Sequence, residues 1–158
     1  MLFRNMPTPC IGVCSTTFGD TVCRGCRRYL HEIVDWNRYG EEAKRLVWLR
    51  LEGLLAQVLP VYFRIENPAL LLQHMQELHM DTRQPDAPWS LLFALLRASA
   101  RQEPDLGPFG VRRLDLSGRS LIELREHIST ELYQLACAYY DRDHLRALAR
   151  QVAEQTAP

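Results

Sequence analysis

The sequence predicts a mostly α-helical protein whose N-terminal end is a four-cysteine metal knuckle followed by a multi-helix body. Three observations carry this. Four of the five cysteines crowd into "PCIGVCSTTFGDTVCRGC", residues 9–26. From residue 28 onward, apolar residues recur at helical rather than strand spacing. Glycine and proline fall between those stretches and seldom inside them.

Taken in order, residues 1–9 form an extended lead with Pro7 and Pro9. The cysteine segment follows, rich in Gly, Ser and Thr. A helix is expected from Arg28 to Tyr39, with Leu30, Ile33 and Val34 on one face and Gly40 as its stop. Glu41 and Glu42 suit the N-terminal dipole of a second helix. It carries Leu46, Val47, Leu51, Leu54, Leu55 and Val58 and ends at Pro60. The connector "PVYFRIE", residues 60–66, reads as extended and as a soft boundary between a module at 1–59 and a helical body at 60–158. Asn67-Pro68 is a cap followed by proline at the first helical position, and opens a third helix. A fourth starts near Pro88 and holds Trp89, Leu92, Phe93 and Leu96. "VRRLDLSG" reads as one short β segment near 111–117. Ser120 and Glu123 make a capping box. The helix behind it has a stripe of Leu121, Leu124, Ile128, Leu132, Leu135 and Tyr139. Asp141 is placed to cap a last helix with Leu145, Leu148 and Val152.

Of the 158 residues, 47% are hydrophobic and 24% charged, and the formal net charge is zero. That suits a globular core and gives no overall field to recruit nucleic acid or membrane. Residues 1–50 hold eight basic and five acidic side chains, against eleven and fourteen in the remainder. All the basic residues except Lys44 are arginine and are spread along the chain, as base composition would produce. No apolar leader or membrane-length run is present, so a cytoplasmic location is expected. In a reducing compartment, clustered thiols read as metal ligands rather than disulfides.

The spacing Cys10-x3-Cys14-x8-Cys23-x2-Cys26 supplies four soft thiolates. Such a set completes a tetrahedral shell around Zn²⁺ or holds an iron–sulfur cluster. Gly12 and Gly25 allow tight turns that aim N–H groups at sulfur. "FGD" at 18–20 turns the link back. Two pairs, with proline before the first, suit zinc better than the ferredoxin pattern of three close cysteines and proline after the last. Cys137, alone in a helix at "LACAYY", reads as a small core residue.

Residues 9–52 resemble the small bacterial YdhL-like family, a domain of unknown function described as a predicted iron–sulfur protein. The residues concerned are Pro9-Cys10-Ile11-Gly12-Val13-Cys14, Cys23-Arg24-Gly25-Cys26, Arg28, Glu32-Ile33, Trp36, Glu42 and Arg45. The resemblance implies that the four cysteines are the ligands and that the metal centre is a cluster. In the family pattern the last cysteine is usually followed by glycine; here Arg27 stands there, which bears on the turn.

Arg24, Arg27 and Arg28 surround the second pair. They either offset the formal −2 charge of a zinc tetrathiolate or grip phosphate or an acidic partner. No interleaving of basic and aromatic residues marks a nucleic-acid groove. His31 reads as a surface or supporting residue, because four thiolates need no fifth ligand. His74 and His79 lack helical metal-pair spacing and read as surface residues. Asp141 and His144 read as a cap and a first-turn residue. Trp36, Trp48 and Trp89 read as core. No nucleophile elbow, phosphate loop or HExxH is present, so no enzyme activity is expected. The expectation is a structural zinc protein acting through another protein partner, with an iron–sulfur electron carrier or redox sensor as the alternative.

Overall fold

The structure is a computed structural model and describes residues 6–156. It is mostly helical with one small antiparallel sheet. The elements are α1 (Leu30–Val34), α2 (Glu41–Val58), β1 (Phe63–Ile65), α3 (Pro68–Glu77), α4 (Pro88–Ser99), β2 (Val111–Arg113), α5 (Leu121–Tyr140) and α6 (Arg146–Thr156). Residues 48–131 form one compact unit; residues 1–47 with 132–158 form another. The 60–66 connector lies inside the first of these.

The unit of residues 48–131 is built on α4. Its residues Leu91 to Leu96 are buried without interruption, the mark of a helix enclosed on all sides. α3 packs against it, and Leu51, Leu54, Leu55, Leu71, Met75, Leu124 and Ile128 of the same unit are nearly inaccessible to solvent. Ala87 offers α4 no side-chain cap. The Glu52 carboxylate supplies one from α2, accepting from Trp89 N at 2.9 Å, Ser90 N at 2.8 Å and Ser90 Oγ at 2.6 Å. An acid there satisfies orphan N–H groups and meets the positive end of the helix dipole. Pro88 marks the start of α4 in the sequence, but its cap sits far back in the chain.

"PVYFRIE" is extended in part, as expected. Its β1 pairs with β2 in the register Phe63↔Arg113, Arg64↔Arg112, Ile65↔Val111. The strand at 111–117 is thus shorter than its expected span. Gly110 precedes β2 with φ 67°, and a Cβ there would lie 2.9 Å from the Asn67 carbonyl oxygen. Its own carbonyl accepts from Glu66 N and Asn67 N at 2.8 and 3.1 Å, so strand end and helix start are fastened together. The Asn67 cap forms as expected, with Oδ1 accepting from Leu70 N at 3.0 Å. So does the capping box, Ser120 N donating to Glu123 Oε2 at 2.8 Å and Glu123 N to Ser120 Oγ at 3.3 Å.

In the unit of residues 1–47 and 132–158, three expectations need correction. The helix expected from Arg28 to Tyr39 is only α1, followed by a 3-10 turn at Trp36–Arg38. β-Branched Ile33-Val34 and then Asp35 disfavour continuation, and the turn buries the Trp36 indole beneath Arg28 and Lys44. Asp141 caps nothing: with no glycine or proline between Leu121 and Thr156, the chain stays helical through a π turn at Asp141–Leu145. The stripe of α5 turns inward at Leu132 and Ala136; Leu135 and Tyr139 are only half-buried. Leu145, Leu148 and Val152 are exposed. Of the tryptophans only Trp36 is fully buried; Trp48 and Trp89 are half-buried. Among the described residues, no helix is long and apolar enough to cross a membrane.

Two measurements test this account. Glu52→Ala should cost about 1–2 kcal/mol in urea unfolding, with Glu52→Gln recovering part of the loss. Tyr62 donates its hydroxyl to Glu131 at 2.8 Å; burial first, then that carboxylate, push it up to about 12. A raised phenol stabilises the fold below its unfolded value near 10 and loses that contribution as pH climbs toward 12. The unfolding midpoint should therefore fall over that window in the parent protein and fall less in Tyr62→Phe.

Candidate metal centre

The second cysteine pair sits on a tight chain reversal. Val22 and Tyr29 pair as an isolated antiparallel bridge. Inside it, Cys23 N donates to Arg28 O at 2.9 Å and Arg27 N to Cys23 O at 2.8 Å. Closing so short a loop forces Arg27 into the left-handed region, φ 61°. Glycine takes that conformation without a Cβ penalty. The turn therefore forms with arginine where the resembling family usually has glycine, and the arginine carries the strain.

Turns of this kind aim successive N–H groups into one concavity that suits an anion. Here the anion site is Cys23 Sγ. Burial would push its thiol up, but hydrogen bonds from the N–H groups of Cys26, Ser15 and Gly25, and from the Cys26 side chain, outweigh burial and hold it below the usual thiol value. Cys26 goes the other way. Burial raises it, and the Arg28 guanidinium, donating Nε to Sγ at 3.3 Å, only partly offsets this.

The first pair lies against the second. A Cβ on Gly25 would meet the Val13 carbonyl oxygen at 2.6 Å and the Ile11 side chain at 3.1 Å, so glycine is required for the two loops to touch. Cys23 Sγ reaches Val13 O at 3.5 Å, and Arg24 N donates to Ser15 Oγ at 2.8 Å. Gly12 N donates to Cys10 Sγ at 3.3 Å, and Cys14 Sγ lies 2.9 Å from Thr16 Oγ1. Cys23 and Cys26 are buried; Cys10 and Cys14 are half-buried, and all are free thiols. The two pairs are stacked, yet among the described residues no three Cys, His, Asp or Glu side chains converge closely enough to enclose an ion. The donors, the N–H cradle and the neighbouring cation fit a soft metal; the closure of all four sulfurs on one point is not present.

The three arginines separate. Arg27 and Arg28 are buried, so neither lies on an exposed rim, and Arg28 is committed to Cys26 and the Trp36 ring. Arg24 is exposed, paired with Asp20 at 3.1 Å and laid over the Tyr133 ring at 4.1 Å. Cys137 is half-buried rather than core, and its thiol contributes, after burial, to raising the Tyr133 phenol above its ordinary value. His31 is exposed. His74 packs edge-to-face with Phe109 and pairs with Glu77 at 3.3 Å. Ser15 and Thr16 were not legible as part of the site; a hydroxyl pair beside a cysteine is the only signal for them.

The strained turn yields a comparison. Both Arg27→Gly and Arg27→Ala remove the side chain, but only glycine relieves the backbone. The glycine variant should be the more stable of the two by about 1 kcal/mol in thermal or urea unfolding; equal stability would mean that the left-handed turn is absent in solution.

Residues 8–54 match the model of a family described as "Protein of unknown function (DUF1289)". The match spans nearly the segment that the cysteine pattern and α1–α2 define, and leaves the rest of the chain uncovered. No curated protein and no solved structure matches the chain. The matched description attaches neither a metal nor an activity, so the segment at 8–54 is similar to a cysteine-rich family of unknown function.

Proposed function

We propose that Cys10, Cys14, Cys23 and Cys26 hold one structural zinc ion, and that the chain acts as a protein-interaction or regulatory module rather than an enzyme. One observation carries this reading: the two cysteine loops are seated on each other, Arg24 N donating to Ser15 Oγ at 2.8 Å, with Cys23 and Cys26 buried and Gly12 N donating to Cys10 Sγ at 3.3 Å. Proteins direct backbone donors at sulfur where thiolate charge must be held in a dry site. Arg28 against Cys26 offsets part of the formal −2 charge of a zinc tetrathiolate. Metal would replace the S–H protons, including the one Cys23 now directs at Val13 O. A site with four protein ligands has no open position, so it organises chain rather than reacting. Free thiols at all five cysteines suit a reducing compartment, the cytoplasm in the simplest case.

The partner is proposed to be another protein. Arg24 is the one arginine of the three placed to contribute, and Phe18, 91% exposed in the link between the two cysteine pairs, offers an apolar contact. Neutral net charge speaks against nucleic acid.

Metal analysis of protein purified with and without air decides the matter. One zinc per chain in both preparations is the expected result. About four irons with sulfide and visible absorbance, found only without air, would assign an iron–sulfur redox protein instead. Absence of any metal in both would sink the two readings together.

Loss of a ligand should be local. Structural zinc contributes roughly 10–16 kcal/mol of apparent binding free energy to the fold it organises. Cys23→Ser should therefore lose hydrogen-exchange protection across 6–47 and 132–156 while 51–128 keep theirs. Loss confined to residues before 60 would place the cooperative boundary at the 60–66 connector.

A further inference from the structure

Outside the cysteine set, four rings meet in the unit of residues 1–47 and 132–158. Tyr29 lies 5.1 Å from Tyr140, 5.2 Å from His144 and 5.8 Å from His31, centroid to centroid. Tyr140 and His144 are 5.1 Å apart, and His31 and His144 are 5.0 Å apart at an interplanar angle of 63°. Edge-to-face packing alone would be served better by phenylalanine or tyrosine, which bury more apolar area and carry no ring nitrogens to desolvate. Two of the four rings are imidazoles. His31 is exposed and His144 half-buried, so solvent and ions reach them.

The separation is informative. A histidine nitrogen binds a divalent transition metal at about 2.0–2.1 Å, which puts the ring centroid about 3.1 Å from the ion. With one nitrogen of each ring turned to a shared ion, centroids 5.0 Å apart would subtend about 107° at it, close to the tetrahedral angle. His144 reaches this place from the π turn Asp141–Leu145. A π turn inserts one residue into a helix and re-aims the side chains that follow; such turns recur at functional sites. The same turn carries Asp141 and Asp143, which favour a cation. Of the two arginines at this turn, Arg142 is occupied by Asp143 at 2.6 and 3.1 Å and lies over the Tyr139 ring, and Arg146 follows the turn and is exposed.

We infer that His31 and His144 form a two-imidazole site for a borderline divalent transition-metal ion, separate from the cysteine module, with water in the remaining positions. Imidazole suits zinc, copper and nickel. An ion held there ties the π turn to α1.

The test is a Ni²⁺ titration of the full chain, with its cysteine-bound metal as isolated. Calorimetry gives stoichiometry, and paramagnetic broadening of the imidazole proton resonances shows which histidines respond. The expected result is one Ni²⁺ whose binding removes the His31 and His144 signals together. It should act at a concentration at least about 10-fold below that affecting His74, His79 and His127, because the second imidazole binds intramolecularly. His31→Gln and His144→Gln should each weaken binding by about 10-fold or more, and the double variant little further. His144→Phe keeps a ring in the cluster and should lose the ion equally. The inference is overturned if all five histidines broaden together, if His144→Phe binds like the parent, or if Ni²⁺ only displaces the cysteine-bound metal with the histidine signals intact. Metal content of the histidine variants, measured in parallel, reports the cysteine site separately.

Discussion

The N-terminal module depends on one short closure, the pair of backbone hydrogen bonds between Cys23 and the Arg27-Arg28 backbone. Closing it holds the Cys23 thiol beside the backbone of Gly25 and Cys26, which lowers it below the usual thiol value against the effect of burial. It brings Gly25 under Val13, which seats the first cysteine loop. It also starts α1 at Leu30, with Tyr29 N donating to the buried Glu32 carboxylate at 2.8 Å. A left-handed arginine is the local strain that this closure imposes, and it persists because several hydrogen bonds over-determine the turn.

The two units rest on different physics. In residues 48–131, apolar burial around α4 dominates, and the polar groups that matter are caps: Glu52, Asn67 and the Ser120–Glu123 pair. In the other unit the buried apolar side chains are few: Val22, Tyr29, Trp36, Val47, Leu132 and Ala136, beside the Cys23 and Cys26 thiols. Small cores of this kind need a staple, and clustered thiols are a chemical means to one.

Much of this was legible in the sequence because the signals are local. Asn67-Pro68, Ser120 with Glu123, and Pro88 each act within a turn, and each helix start lies where those residues stand. The cysteine segment was legible because thiols are rare and their spacing is chemical rather than structural. What escaped was non-local or subtractive. Glu52 capping α4 joins residues 37 and 38 positions apart. The shortening of the helix after Arg28 follows from burying Trp36, which no periodicity reports. Asp141 reads as a cap only when a break is assumed, and a π turn leaves no gap in the polar pattern. The arginines beside Cys26 look alike as letters; their burial depends on which way the turn faces.

The module's unit is discontinuous in sequence: residues 132–156 complete it from the far end of the chain. Arg24 rests on Tyr133, and Tyr29 on Tyr140. During synthesis the cysteines therefore emerge long before the wall they lean on. At typical elongation rates the interval is on the order of ten seconds. Throughout it Arg24 and Tyr29, which flank the second cysteine pair, lack the Tyr133 and Tyr140 rings they later rest on. The order of the chain thus makes the cysteine loop an early product and the rings that Arg24 and Tyr29 rest on a late one.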